Sequence, residues 1–336
     1  MIVVTGGAGF IGANIVAALN RRGETDILLV DDLVRGEKIR NIADLSIADY
    51  LDKDAFRRAV VNDELTMPIR AVFHQGACSD TMESDGRYVM ENNYAYSRDL
   101  FHFCQRAGTQ FIYASSASVY GNHQTFTEAP VNEHPLNAYA YSKFQFDNYV
   151  RRHHDESQFQ CVGLRYFNVY GYREQHKHRM ASVAWHFFNQ YQKDGVVKLF
   201  QGTDGYDDGQ QLRDFVFVED VVNVNLHFLD HSGSSGIFNV GTGRASSFND
   251  VAVSVINTLE ATAGKDELPL DDLVASGRIQ YIPMPDALNG KYQSYTQADL
   301  TQLRTSGCEV SFVNVVEGVR RYVEWMLGES SGEDSK

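Results

Sequence analysis

Ile2-Val3-Val4-Thr5-Gly6-Gly7-Ala8-Gly9-Phe10-Ile11-Gly12 decides the fold of this chain. A β-branched run leads at once into three glycines spaced G-x-x-G-x-x-G, and an apolar-periodic stretch, Ile15-Val16-Ala17-Ala18-Leu19, follows. Strand, glycine turn and helix in that order form the context in which a glycine motif carries meaning. Gly6 allows the tight turn, Gly9 lets a pyrophosphate approach the backbone, and Gly12 lets the helix pack close to the strand. The helix then turns unpaired N–H groups and a positive dipole end towards the phosphates. A second strand over Ile27–Val30 ends in Asp31-Asp32, about 20 residues on, where dinucleotide-binding folds place an acid. The stretch predicts a bound dinucleotide.

Working outward, Ala71-Val72-Phe73-His74 reads as the next strand and runs into the small residues Gln75-Gly76-Ala77-Cys78-Ser79. A long helix is expected over Gly86–Ala107, carrying Asn92 and Asn93, then a buried strand Phe111–Ala114 that feeds Ser115-Ser116. A helix over Tyr139–His153 precedes the strand Cys161–Tyr166. Strands alternating with helices imply an α/β fold, a Rossmann-type doubly wound parallel sheet covered on both faces. Past Tyr166 the pattern loosens, with helical patterning around Met180–Gln192, a strand over Val197–Phe200 and a glycine- and aspartate-rich loop from Gly202 to Gly209. Arg213–Val218 and Ile237–Asn239 read as short strands returning to the first domain, and Phe248–Ala261 and Val313–Leu327 as helices. The expected plan is a dinucleotide-binding domain over 1–167 with returning segments about 213–243. A smaller mixed α/β substrate domain takes 168–212 and 244–330, with an acidic insertion near 260–277 and a frayed tail at 331–336.

Composition bounds the function. The 336 residues carry a net charge of −14, with 22% charged and 43% hydrophobic residues, the balance of a soluble globular chain. Such an acidic chain is not built to coat phosphates, so no nucleic acid is expected as partner. Cys78, Cys104, Cys161 and Cys308 are scattered without C-x-x-C or metal-ligand spacing, which suits reduced thiols and no metal. No apolar run approaches the roughly 18 residues of a membrane span. The first strand begins at Ile2, leaving no room for a signal peptide, and a cytoplasmic location is expected.

The candidate chemistry sits in Tyr139-Ala140-Tyr141-Ser142-Lys143. Residues four apart share a helical face, so Tyr139 and Lys143 point the same way. A phenol with a reference pKa of about 10 exchanges protons poorly at neutral pH. A neighbouring ammonium favours the phenolate and brings it towards working range. Ser116, at the end of the preceding strand, can hydrogen-bond a reacting hydroxyl or carbonyl. Tyr-x-x-x-Lys alone is common; behind a nucleotide-binding turn and a Ser-bearing strand it is specific.

Thr5–Gly12, Ser115-Ser116-Ala117-Ser118-Val119-Tyr120-Gly121 and Tyr139–Lys143 together resemble the extended short-chain dehydrogenase/reductase family, largely nucleotide-sugar epimerases, dehydratases and reductases. Dehydratases of that family carry Asp-Glu after the catalytic Ser/Thr; here Ala117-Ser118 stands there, so dehydration lacks its acid and base. Downstream, Arg165–Gly171, Arg173–Ala184, Phe200-Gln201-Gly202, Arg213–Val216 and Tyr292–Leu300 are similar to the branch of these epimerases that acts on ADP-linked heptose. That resemblance runs from residue 1 to about 327.

It implies tightly held NADP, with NAD as the alternative, and inversion of C6 of the heptose through a transient 6-ketone. To invert the centre, the ketone must present its other face, which carries its oxygen to a new position. Each position then needs its own proton donor. The resemblance gives one to Tyr139 and the other to Lys177, with Ser116 on the carbonyl and Lys143 on the ribose and the tyrosine. It places Gly6, Gly9, Phe10, Ile11, Gly12, Asp31, Asp32, Lys38, Lys53, Gln75, Gly76, Ala77, Cys78, Ser79, Asn92, Lys143, Val169 and Lys177 at the cofactor. It places Ser116, Asn168, Arg179, His186, Phe200, Gln201, Gly202, Thr203, Arg213 and Tyr292 at the substrate. Arg213, bidentate and permanently charged, suits a diphosphate.

Alternatives stay open at several of these positions: a solvated or phosphate-binding Lys177, a packed His186, an Arg213 paired with Asp214 or Glu219. Asp31 and Asp32 disfavour a 2′-phosphate, and Lys38 and Lys53 can offset them. The resemblance further implies a homo-oligomer, a pentamer, and a role in making the lipopolysaccharide inner core. The competing readings are a UDP-hexose 4-epimerase, a reductase that consumes its cofactor, and a non-enzymatic dinucleotide sensor.

Overall fold

The computed structural model describes residues 1–154, 159–285 and 293–333. Its strands in chain order are β1 (Ile2–Thr5), β2 (Ile27–Asp31), β3 (Asp49–Asp52), β4 (Ala71–His74), β5 (Gln110–Ser116), β6 (Cys161–Tyr166), β7 (Asn168–Tyr170), β8 (Val197–Phe200), β9 (Leu212–Arg213), β10 (Phe215–Phe217), β11 (Gly236–Val240), β12 (Ser246–Ser247) and β13 (Ile279–Ile282). The α-helices are α1 (Phe10–Arg21), α2 (Lys53–Val61), α3 (Gly86–Met90), α4 (Tyr96–Ala107), α5 (Ala138–His153), α6 (Val183–Asp194), α7 (Val218–Asp230), α8 (Phe248–Thr262), α9 (Leu270–Ala275), α10 (Thr301–Thr305) and α11 (Val315–Glu333).

Two compact units emerge. The first comprises Met1–Tyr166, Val221–Val240 and Asp299–Val310. Its seven-stranded sheet has the order β11-β6-β5-β4-β1-β2-β3, and every pairing is parallel. The order 3-2-1-4-5-6 is that of the doubly wound dinucleotide fold, and its reversal lies between β1 and β4, where ligands bind beyond the strand ends. Strands buried on both faces read as continuous apolar runs. β1, β2 and β4 accordingly are buried along their whole length. On one side of the sheet Phe56, Leu100, Phe101, Phe111, Phe146 and Val150 form the core that seats α2, α4 and α5.

The second unit comprises Phe167–Asp220, Gly241–Ala298 and Ser311–Lys336. It holds three two-stranded sheets, β7 with β10, β9 with β12, and β8 with β13, together with α6, α8 and α11. Asp214, fully buried, knots it: its carboxylate accepts from the N–H groups of Thr242, Gly243 and Ala298 and from the Thr242 hydroxyl at 2.7–3.0 Å.

Several segments differ from the sequence expectation. The helix expected over Gly86–Ala107 is interrupted by a π turn at Glu91–Ala95, which re-aims Asn92 and Asn93. Arg213–Val218, expected to return to the first domain, clusters with the second unit because β10 pairs with β7 and β9 with β12. The segment that returns beside Val221–Val240 is Asp299–Val310, whose polar sequence carries no strand pattern. The tail, expected to fray from 331, continues α11 to Glu333. The insertion near 260–277 is largely exposed, yet Asn257 pins it by two hydrogen bonds to the backbone of Leu268, and Leu273 is buried.

Candidate active site

The glycine turn behaves as its spacing predicts. Gly6 has φ +64°, and a Cβ there would lie 2.6 Å from the Gly76 nitrogen. A Cβ on Gly12 would lie 2.1 Å from the Gly6 carbonyl oxygen, so only glycine lets α1 start this close to β1. Gly9 is the N-cap of α1 and offers no side-chain cap to its first turn. These cradles, which a Cβ would fill, and the uncapped helix start fit a pyrophosphate.

The two acids at the end of β2 have separate jobs. Asp31 is buried, accepts the Ala8 N–H at 2.9 Å, and pairs with Lys38 at 2.9 Å. Asp32 is half-buried and pairs with Lys38 and Lys53, each at 3.2 Å. Burial opposes the Asp32 charge, but the two lysines outweigh it and hold its carboxyl below the ordinary value. Burial likewise opposes the Lys38 charge, and the two acids outweigh it and raise its ammonium. Lys53 also donates to Asn92 at 3.0 Å, so Asp31, Asp32, Lys38, Lys53 and Asn92 form one charge-balanced group.

Ser116 ends β5, and its Oγ accepts from the N–H and hydroxyl of Ser118, at 3.2 and 2.9 Å. Tyr139 lies in the first turn of α5, which Asn137 caps by accepting the Ala140 N–H at 2.8 Å. Burial pushes the Tyr139 phenol up, and a hydrogen bond to Ser116 opposes it. One turn on, Lys143 is buried and donates to the Ala114 carbonyl at 2.7 Å. Burial pulls its ammonium down to about 8, against the charge of Asp147. The lowering of the phenol that its spacing from Lys143 suggests is thus not the dominant effect here. Burial acts on both groups, and the ammonium is engaged with a carbonyl.

Behind these residues runs a chain of hydrogen bonds that sequence reasoning did not assemble. The Gly76 N–H donates to Thr5 Oγ1 at 3.2 Å, and Thr5 Oγ1 lies 2.7 Å from His74 Nδ1. His74 Nε2 lies 2.8 Å from Ser97 Oγ, which donates to the Asn93 carbonyl at 2.6 Å. Burial and the Lys143 charge pull the His74 imidazole down to about 3, so it stays neutral. With Ser97 spending its proton on Asn93, Nε2 carries the ring proton and Nδ1 accepts from Thr5. The Asn93 side chain clasps both the N–H and the carbonyl of Cys78 and donates to Ser142, whose hydroxyl donates to the Tyr139 carbonyl. The glycine turn, the Gly76–Cys78 loop and the helix that carries Tyr139 and Lys143 are therefore tied together. Asn93 was named on the expected helix and Ser142 lies within the Tyr139–Lys143 motif, which was the available signal; nothing in the sequence tied His74 or Ser97 to them.

A second network lies deeper. Arg165, fully buried on β6, pairs with Asp147 at 2.8 Å and with Glu133, and donates to the Tyr120 hydroxyl at 3.1 Å. Asp147 also accepts from Tyr113 at 3.0 Å and Ser115 at 2.9 Å.

The remaining candidates stand in the second unit. Asn168 and Val169 lie on β7, and the Asn168 N–H bonds the Asp214 carbonyl at 3.0 Å. Lys177 and Arg179 lie in a 3₁₀ segment, Gln175–Met180. Burial pulls the Lys177 ammonium down, and Glu174 opposes it. His186, on α6, is half-buried and meets the Trp185 ring edge-on. Gln201 and Gly202 line an open cleft with Tyr206, Asp207 and Tyr281. Phe200 ends β8, and Thr203 follows in the same loop. Arg213 is buried on β9 with its guanidinium over the Phe248 ring, while the Asp214 carboxylate serves the knot described above. Tyr292 lies outside the described residues. Among the described residues no group of three or more His, Cys, Asp or Glu could hold a metal, and no helix is long and apolar enough to cross a membrane.

The model of the NAD dependent epimerase/dehydratase family matches residues 2–241. An ADP-L-glycero-D-manno-heptose-6-epimerase from Thiobacillus denitrificans is 60% identical over 325 residues, covering 97% of this chain and 98% of the relative. Among solved structures, the Helicobacter pylori ADP-L-glycero-D-manno-heptose-6-epimerase superposes with a TM-score of 0.77 at 29% identity, covering 96% and 94% of the two chains. The Thermus thermophilus UDP-glucose 4-epimerase, solved with NAD, gives 0.74 at 28% identity, covering 96% and 97%. With the glycine turn, Ser116, Tyr139 and Lys143 in place, the chain belongs to the NAD dependent epimerase/dehydratase family.

Proposed function

We propose that this enzyme inverts C6 of the heptose in ADP-D-glycero-D-manno-heptose, interconverting it with the L-glycero epimer. The observation that carries the reading is 60% identity along nearly the whole of both chains to an enzyme of that name. The Ser116, Tyr139 and Lys143 arrangement supplies the chemistry. A bound nicotinamide dinucleotide supplies a hydride acceptor that becomes the donor within one turnover. The glycine turn and the start of α1 hold its pyrophosphate, with Asp31, Asp32, Lys38, Lys53 and Asn92 around its adenosine ribose.

NADP is the proposed form. Asp31 already has its oxygens engaged by the Ala8 N–H and by Lys38, which leaves it a poor acceptor for a ribose 2′-hydroxyl. Lys38 and Lys53 both stand beside Asp32, which supports the reading that they offset its charge in favour of a 2′-phosphate. Extraction of cofactor from the purified protein is expected to yield NADP; NAD alone would contradict this.

By resemblance, Tyr139 is proposed to move the proton of one epimer's hydroxyl and Lys177 that of the other, with Ser116 on the carbonyl oxygen. Both proton carriers are half-buried, and burial pushes the Tyr139 phenol up and pulls the Lys177 ammonium down. Asn168, Arg179, His186, Phe200–Thr203, Arg213 and Tyr292 are proposed to hold the sugar and diphosphate. The proposal extends to a cytoplasmic homo-oligomer, pentameric by resemblance, that serves lipopolysaccharide inner-core synthesis. Incubation with ADP-D-glycero-D-manno-heptose and stereochemical analysis of the product tests the reading. Mixed C6 epimers are expected, and unchanged configuration would defeat it.

A further inference from the structure

Glu174 is fully buried, yet neither the glycine turn nor the Tyr139 site uses it. Its carboxylate accepts from the Ser182 N–H and the Ser182 hydroxyl, both at 2.6 Å, and from the Gly171 N–H at 3.2 Å. Three donors from the Gly171 and Ser182 positions thus converge on the two oxygens of one side chain. The Glu174 carbonyl accepts the Lys177 N–H at 2.9 Å and opens the 3₁₀ segment that carries Lys177. Ser182, bound through the other end of Glu174, is the N-cap of α6 and accepts the Trp185 N–H at 3.3 Å. One side chain therefore ties the Lys177 turn to the helix that bears His186.

The turn needs such a tie. Arg173 at φ +68° and His178 at φ +48° flank Lys177 in the left-handed region, which side-chain-bearing residues rarely adopt. Something outside local preference must hold the segment.

Resting on the proton-transfer role given to Lys177 above, we propose that Glu174 is its positioning residue. The buried carboxylate fixes the turn that presents Lys177 and supplies the counter-charge for its ammonium. Burial pulls the Lys177 ammonium down from its ordinary value, and the charge of Glu174 opposes that pull. Arg173, His176, His178 and Arg179 accompany Lys177 on its own segment. From α11 the Tyr322 phenol faces Glu174, whose charge, after burial, raises it. Among these groups Glu174 is the anion.

The test is a titration of Lys177 in the full-length, cofactor-loaded protein. Lysine labelled with ¹³C at Cε is followed by NMR, with the signal assigned by its loss in Lys177→Ala. Glu174→Gln keeps the shape and removes the charge. The expected result is a midpoint for Lys177 lowered by about one pH unit. Glu174→Asp, which draws the charge back by one methylene, is expected to give a smaller downward shift and keeps the test usable should the Gln variant not fold. A residue that merely braces the fold would change stability and leave the midpoint where it is, and an unmoved midpoint overturns the proposal. The titration needs no turnover, so it is distinct from the role of Lys177 itself, which full epimerase activity in Lys177→Ala would remove.

Discussion

Lys143 holds its ammonium out of water, against the Ala114 carbonyl. Its ammonium is 4% exposed and pulled down to about 8 by burial, while the unfolded chain returns it to its ordinary value near 10.5. The sign of the linkage follows. Below about pH 8 both states are protonated and the folded protein bears the full burial penalty. Between about 8 and 10.5 the unfolded state binds the extra proton, so the penalty fades as pH rises. Lys143→Met is therefore expected to stabilise the cofactor-free protein by up to about 3 kcal/mol below pH 8. That gain should shrink towards pH 10.5, as denaturant melts of both proteins at several pH values would record. A pH-independent difference would mean that the ammonium is not penalised as described. Tyr139, Lys143 and Ser116 were legible in the sequence because their spacing survives folding. The balance of their ionisation was not, because burial and the Ala114 carbonyl are products of the fold.

The elements were legible where one period dominates. β1, α1, β2 and β5 follow from apolar runs and glycine spacing, and α8 from its 3.6-residue pattern. Arg213–Val218 was not, because its four-residue apolar run, Phe215–Val218, pairs equally well with any free edge, and the edge it finds belongs to β7. The π turn at Glu91–Ala95 was hidden for a related reason. One inserted residue leaves the helical pattern nearly intact while turning Asn93 towards Cys78 and Ser142. At this scale the glycine turn makes the sharpest prediction. In Gly12→Ala the new methyl meets the Gly6 carbonyl at 2.1 Å, a backbone atom that cannot swing away. A loss of about 1–3 kcal/mol in stability is expected, with weaker cofactor retention through gel filtration. Wild-type retention would show that α1 can start further from β1 than the structure has it.

At the scale of the whole molecule, the first unit buries an ion network. Arg165, Asp147 and Glu133 are 18 and 32 residues apart in pairs, and no local pattern announces them. Removing Asp147 leaves the Arg165 charge to Glu133 alone and takes the acceptor from Tyr113 and Ser115, so Asp147→Ala is expected to cost about 3–5 kcal/mol. Thermal melts should register it as a drop of many degrees, and a change within error would mean that water reaches Arg165. This network underlies β5 and α5, the elements that deliver Ser116, Tyr139 and Lys143, and so joins the stability of the sheet to the chemistry at its edge. The central claim is that C6 is inverted by removal and return of its own hydrogen, with a proton carrier for each epimer. The measurement that tests it most directly uses ADP-D-glycero-D-manno-heptose carrying deuterium at C6, with the product analysed for configuration and label. The account predicts an inverted C6 that keeps its deuterium. Unchanged configuration, or inversion with the deuterium lost to solvent, would contradict it.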